Sequence, residues 1–473
     1  MGLGTGGPLP DTIAALAPLL QSREISPVEV VKLCLSRIES FNGRLCAYSA
    51  VLADDALERA REAERELQRG QIRGPLHGVP VSVKDVYKTR AAPTTWGAKP
   101  LAHYDSDVDA AVVERLREAG AVLIGKTNVD MHPYHGSPEA PRLIGPTRNP
   151  WDLDRTAGRS SGGSASAAAA RLDYGSIGSD TGGSVRIPAA LCGVVGVKPT
   201  FGRVSRRGVL LYSDAFDHCG PIARCVHDCA YLLVAIAGHD PRDITSAKEE
   251  VPDWTCVLGE PVTGLRVGVP YQQVEGSQPD VRQLFLTATE RLSEAGCEIR
   301  PIQLPALADA RWIRILSTLE TTAMAERTMT LTNRDDPWSR FITARAVGER
   351  SRLMEHGYQL ANAAQAEYRE VFREVDVIAM PTVPIVAPRF SEEWSPWQLP
   401  EESFWELPAR HTRIFNFIGY PAITIPCGFT QDAMPVGLQI TATPFNEAVI
   451  FRAAHAYERA TDWHTKRPPL VQE

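Results

Sequence analysis

Two segments of this chain bring together the residue types that acyl transfer needs. In 156–188, seven serines and seven glycines are interleaved with alanine. A flexible linker would be polar and free of apolar anchors. Here the run ASAAAA predicts a helix over 164–171, and two Gly-Gly pairs stand beside serines. Glycine lets backbone N–H groups approach a ligand with no Cβ in the way. Successive N–H groups aimed in one direction form a pocket for a tetrahedral oxyanion. Asp180-Thr181-Gly182-Gly183-Ser184 therefore reads as an oxyanion hole that ends in a nucleophile. It reads equally as a tight turn in which Ser184 caps the next segment.

A serine nucleophile requires a base, and the second segment offers one. Lys84 ends the apolar run GVPVSVKD. A lysine in such a strand must be paired or lose its charge to desolvation. A neutral amine can take a serine proton once its pKa falls from about 10.4 toward 7–8. Lys84 could instead form a salt bridge to Asp85 or reach out to water.

The elements that must position these groups alternate between helix and strand. Residues 9–70 read as helices: Ser26-Pro27 starts VEVVKLCLSRIESF, and 53–69 repeats the period with charge on its outer face. Strands are predicted at 79–85, 121–124, 265–270, 297–302, 375–382, 422–428 and 437–442. Helices are predicted at 109–119, at 281–296, through much of 305–374, and at 446–460. The 240–260 stretch reads as a surface connection. The alternation predicts an α/β fold with a mixed sheet.

Bulk properties bound what these elements can serve. The chain has 473 residues, 44% of them hydrophobic and 23% charged, enough to bury a large core. Its net charge is -7, and no basic stripe with interleaved aromatics occurs, so neither nucleic acid nor an anionic membrane is expected as a partner. No apolar run approaches the length of a membrane span, and the N-terminus lacks the basic start of a secretory signal. Nine irregularly spaced cysteines predict a reduced, cytoplasmic protein.

Residues 77–85 (HGVPVSVKD), 158–169 (GRSSGGSASAAA), 178–202 (GSDTGGSVRIPAALCGVVGVKPTFG) and 416–439 resemble the amidase signature family. So do 217–233 (DHCGPIARCVHDCAYLL) and VDVIAMPTVP at 375–384. The resemblance runs over nearly the whole chain. It implies that family's fold, a central mixed β-sheet covered by helices on both faces. The organisation it implies is a single domain, with an N-terminal helical segment (1–70) packed on a catalytic domain (71–473). It further implies a Ser-cisSer-Lys triad: Lys84 as base, Ser160 as the cis serine and Ser184 as nucleophile. The N–H groups of Thr181, Gly182, Gly183 and Ser184 match the oxyanion hole, with Ser161, Gly162 and Asp180 in support. The implied activity is cleavage of C–N bonds in small amides, anilides or carbamates through an acyl-enzyme, without cofactor or metal. The expected partner is a small-molecule amide or carbamate, and the chain is expected to act as a monomer or homodimer. Two departures stand out. Arg159 precedes Ser160 where the family usually has glycine, and DMHPYHGSPEA occupies 130–140 where many relatives carry an M-x-E-F type sequence.

Several motifs compete with this reading. GAVLIGKT (120–127) matches a phosphate-loop pattern, but a helix precedes it and its middle is an apolar strand. GRSSG (158–162) matches G-x-S-x-G, but WDLDRTA before it does not read as the buried strand that a nucleophile elbow follows; a Ser-His-Asp esterase stays only as an alternative. His218, Cys219, Cys225, His227 and Cys229 fit no common zinc spacing and read as packing. A urethanase also stays open, as does a glutaminase subunit of a tRNA-dependent amidotransferase; KDVY lacks the Asn that normally follows K-D in the latter. Trp394, Trp397, Phe404 and Trp405, with Phe390, form either an apolar lip over the substrate or a loop packed on the body.

Overall fold

The computed structural model describes residues 9–130, 143–305, 350–390 and 406–471. The strands are β1 (Tyr48–Val51), β2 (Pro80–Lys84), β3 (Val122–Thr127), β4 (Arg148–Asn149), β5 (Asp152–Thr156), β6 (Ser176–Asp180), β7 (Val195–Lys198), β8 (His218–Ala223), β9 (Arg266–Val269), β10 (Glu298–Pro301), β11 (Val377–Pro381), β12 (Ala422–Phe429) and β13 (Pro435–Thr441). Among the described residues, eleven of them form one sheet in the order β1-β3-β2-β6-β8-β7-β12-β13-β11-β9-β10, and β4 pairs with β5 apart from it. The sheet is mixed: β2 runs parallel to β3 and β6, β9 parallel to β10 and β11, and the remaining pairs are antiparallel.

The helices used below are α1 (Ile13–Gln21), α2 (Pro27–Leu45), α3 (Ala53–Gln68), α4 (Ala111–Glu118), α5 (Gly162–Ala169), α6 (Arg186–Cys192), α7 (Val226–Ile236), α8 (Pro279–Glu294), α9 (Arg350–Glu374), α10 (Arg413–Phe417) and α11 (Glu447–Arg459). They cover both faces, as period-2 alternation along the strands requires. In β11, Val377 and Ala379 join the large core that contains α7, α8 and α11. Ile378 and Met380 point the other way, to Tyr368 of α9 and Phe415 of α10. The strand is apolar throughout because neither face meets water.

Local signals account for the helix starts. Ser26 Oγ accepts the Val28 N–H, Glu29 accepts the Ser26 N–H, and Pro27 opens α2, forming a complete capping box. The first N–H groups of α1 instead find a distant acceptor. Ile13 and Ala14 donate to the Asp228 carboxylate of α7 at 2.9 and 3.0 Å, tying the N-terminal helix to the body.

The structure differs from the sequence reading in three places. Residues 9–70 include β1 as well as helices; four residues are too few to show alternation, and the pairing with β3 defines the strand. The strands β7 and β8 and the helix α7 extend the alternation through a region read only by motif, with Pro221 inside β8. The 240–260 connection is not wholly at the surface, since Trp254 is fully buried against Phe451. The aromatics Trp394, Trp397, Phe404 and Trp405 lie outside the described residues, as does the 131–140 part of the divergent segment. Phe390 is described, and its ring lies beneath the Arg148 guanidinium.

Candidate active site

The parallel strands β2, β3 and β6 present their carboxyl ends to one side of the sheet, the usual place for a site in an α/β protein. Lys84 is the last residue of β2. The loop carrying Thr181, Gly182, Gly183 and Ser184 leaves the end of β6 and runs into α6. The segment with Ser160 enters from the adjacent layer, just before α5.

Helix α5 explains how Ser160 gets there. Its sequence GGSASAAA contains only small residues, and all eight are buried. A helix without bulky side chains can pass through the interior close to neighbouring backbone. Gly163 is the tightest point, where a Cβ would lie 2.5 Å from both N and O of Asn128. Larger side chains would push α5, and Ser160 before it, off the sheet. The Arg159–Ser160 peptide bond is cis, despite the arginine in place of glycine. The Asp130 N–H donates to Ser160 O at 3.0 Å, and the Ser161 N–H to Ser184 O at 3.2 Å, joining the two serine segments through backbone. Ser161 Oγ also donates to Ser179 O at 3.1 Å, fastening the same segment to β6.

Lys84 is 1% exposed. Its Nζ donates to Ser160 Oγ at 2.6 Å and to Ser179 Oγ at 2.8 Å. Neither competing role for this lysine applies. The amine does not reach water, and Asp85 faces the other way. Asp85 pairs with the buried Lys126 of β3 at 2.7 Å and accepts from Thr95 and Ser49. Lys126, the lysine of the phosphate-loop pattern, is thus an ion-pair partner within the sheet. No carboxylate among the described residues lies within ion-pair distance of Lys84. Burial therefore dominates and lowers its pKa to about 7, against an upward pull from Asp217 and Asp180.

The loop after β6 is organised around Asp180. Its carboxylate accepts from the N–H groups of Gly183 (2.8 Å), Val185 (3.0 Å) and Arg186 (3.3 Å), and from the amide of Asn416 at 2.7 Å. The Arg186 guanidinium meets it through two nitrogens, both at 3.0 Å, and both residues are fully buried. Burial alone would raise the carboxyl's pKa, but Arg186 and these donors outweigh it and hold it well below the usual carboxylate range. Arg186 continues to Gln439 at 2.7 Å and Asn416 at 2.6 Å.

This geometry separates the four candidate oxyanion donors. The Gly183 N–H is committed to Asp180, so it holds the loop. The N–H groups of Thr181, Gly182 and Ser184 have no acceptor among the described residues. Thr181 is fixed by its hydroxyl, which donates to Asp217 at 2.5 Å. No histidine among the described residues bonds Ser160 or Ser184. His218 pairs with Asp180 across the β6–β8 ladder, and its Nδ1–H donates to Phe216 O at 2.6 Å. Burial, reinforced by Lys198, pushes its pKa down and keeps it neutral. The cysteines around it serve packing: Cys219 Sγ points to Ser205 O and Cys229 Sγ to Val195 O.

Sequence reasoning missed three members of the site. Ser179 is one residue before Asp180 in a segment already singled out, yet only the placement of Lys84 shows what its hydroxyl does. Arg186 and Asn416 both lie in the quoted motifs, but nothing in residue type or spacing pairs them with Asp180.

A family model described as Amidase matches residues 29–451 of this chain. The A subunit of the glutamyl-tRNA(Gln) amidotransferase of Chloroflexus aggregans is 39% identical, over 98% of this chain and 98% of its own. The protein of the same name from Moorella thermoacetica is 38% identical, over 97% and 98%. The structure of 6-aminohexanoate cyclic dimer hydrolase complexed with substrate superposes with a TM-score of 0.87, at 31% identity, covering 97% of this chain and 99% of that one. The curated relatives overturn the expectation of a small-molecule partner, no nucleic acid and a chain acting as monomer or homodimer. Both are subunits of an amidotransferase named for a tRNA. The charge argument carries little weight here because net charge describes the overall field of one chain and not what that chain assembles with or acts on. No helix among the described residues is long and apolar enough to cross a membrane.

Proposed function

This chain belongs to the amidase family and acts on amide C–N bonds; we propose that it does so by acyl transfer to Ser184, with Lys84 and Ser160 as proton relay. The observation that carries this reading is the Lys84 amine, buried, unpaired with any described carboxylate and 2.6 Å from Ser160 Oγ. With Lys84 neutral, its bond to Ser160 reverses: the serine hydroxyl donates to the amine lone pair. Ser160 takes the proton of Ser184, and Ser184 Oγ attacks the carbonyl carbon. The oxyanion faces the N–H groups of Thr181, Gly182 and Ser184. The relay then returns a proton to the leaving nitrogen, and water resolves the acyl-enzyme by the same path.

For the substrate, the curated relatives favour the amidase component of a tRNA-dependent amidotransferase, in which a glutamine amide would be cleaved and its nitrogen passed on. Their identity extends over essentially the full length of both chains. The likeness to 6-aminohexanoate cyclic dimer hydrolase favours a second reading, direct hydrolysis of amides, with anilides and carbamates presenting the same carbonyl to the same loop. A cytoplasmic setting accords with nine cysteines that all stand as free thiols.

Ser184→Ala tests the mechanism: turnover should fall by at least about a thousandfold, and substantial residual activity refutes the nucleophile. For the substrate, ammonia release from glutamine is compared, with and without glutamyl-tRNA(Gln) and added partner subunits, against release from p-nitroanilides and aryl carbamates by the isolated chain. Glutamine turnover that depends on the additions supports the first reading. Anilide or carbamate turnover by the chain alone, with glutamine inert, supports the second.

A further inference from the structure

Thr412 precedes α10, far from Ser184 in sequence, and is fully buried. Its Oγ1 donates to Gly182 O at 2.7 Å. At the other end of the same peptide group, the Gly183 N–H donates to Asp180 at 2.8 Å. We infer that Thr412 is a positioning residue for the oxyanion hole, holding the Gly182–Gly183 peptide so that its carbonyl points away from the developing oxyanion.

Without these contacts the Gly182–Gly183 peptide would be free to turn. Gly182 and Gly183 have no Cβ, so rotation of the plane between them is opposed by little intrinsic sterics. A half-turn would aim the Gly182 carbonyl at the Asp180 carboxylate, oxygen against oxygen, and a partial turn would set an acceptor beside the flanking Gly182 and Ser184 N–H groups, where the reaction needs donors. Two anchors pulling opposite ends of one planar group remove that freedom. The anchors are themselves joined. Arg186 reaches the Thr412 carbonyl through Nη1 at 2.9 Å and grips Asp180 through Nε and Nη2. A closed ring therefore runs from the Gly183 N–H through Asp180, Arg186 and Thr412 to the Gly182 carbonyl. The fit is close, since a Cβ on Gly183 would lie 2.2 Å from Thr412 Oγ1.

The inference rests on Ser184 being the nucleophile and is tested with Thr412→Val, which keeps shape and removes the hydroxyl. The substrate is glutamine or p-nitroacetanilide, whichever the wild-type chain turns over, and the transition-state probe is phenylboronic acid. Expected is a kcat about 10- to 100-fold lower with KM within about threefold, and boronate inhibition weakened by a similar factor. Thr412→Ser, which keeps the hydroxyl, recovers most of the rate; a purely structural contact would show no such split between kcat and KM. If Thr412→Val yields no folded protein, Thr412→Ala carries the same expectation. A kcat within about threefold of wild type, a loss confined to KM, or a Ser variant as impaired as the Val variant overturns the inference. An active Ser184→Ala enzyme would instead overturn the nucleophile assignment. An inactive Ser184→Ala enzyme beside an unimpaired Thr412→Val one removes only the role of Thr412.

Discussion

Replacing Lys84 with methionine should abolish turnover and, at neutral pH, make the protein more stable. The buried amine has a pKa of about 7 against an ordinary 10.5, a difference equivalent to roughly 5 kcal/mol. The sign follows from proton binding. Between those two values the unfolded chain holds the lysine proton and the folded chain does not, so the stability contributed by this group rises with pH. Below about pH 7 both states are protonated and the full cost of burying the ammonium is present; above 10.5 both are neutral and it vanishes. Methionine fills similar volume without charge, but it leaves Ser160 and Ser179 without their amine donor, which offsets about 1–2 kcal/mol. The net gain expected at pH 6–7 is on the order of 3–4 kcal/mol, shrinking toward zero or below as pH approaches 10. Denaturant or thermal unfolding of both proteins across pH 6 to 10, with activity measured in parallel, provides the assay. A Lys84→Met protein equally destabilised at every pH would refute the depressed pKa. One that retained turnover would remove lysine from the base role.

The same amine governs the rate profile of the wild type: kcat/KM should climb along an acid limb with its midpoint near pH 7, falling about tenfold below its plateau at pH 6. A profile flat from pH 6 to 9 contradicts it. In Ser179→Ala the ammonium loses one of its two acceptors, so the limb should move to lower pH by up to about one unit while the plateau falls several-fold; an unmoved limb would mean Ser179 does not touch the titrating group. Gly183→Ala should be severely impaired in both stability and turnover. The backbone there has φ of +130°, and the new Cβ would meet Thr412 Oγ1 at 2.2 Å and Ile187 Cδ1 at 2.6 Å. A fully active, stable Gly183→Ala protein would show that the loop relaxes easily and would weaken the case for a clamped peptide.

Sequence alone pointed to the candidate chemistry-bearing residues and to most of the frame. Glycine pairs beside serine at 162–164 and 182–184, and a lysine closing an apolar strand, are local facts, and the motifs around them are contiguous. Strand and helix period is likewise local, so β2, β11, β12 and α8 were legible. The short β1 and the Pro-containing β8 were not, because pairing across the sheet defines them. Whether Lys84 was a base or a partner of Asp85 depended on which side of β2 each side chain took and on what stood there. Only the fold puts Lys126 beside Asp85 and two serine hydroxyls beside Lys84. The anchoring of the Gly182–Gly183 peptide is likewise tertiary, since Asp180 and Thr412 lie more than two hundred residues apart in the chain and meet through one guanidinium. Residue types set which protons can move. Burial and long-range contacts decide which of them do, because a pKa and a donor's direction belong to the surroundings of a group and not to the group itself.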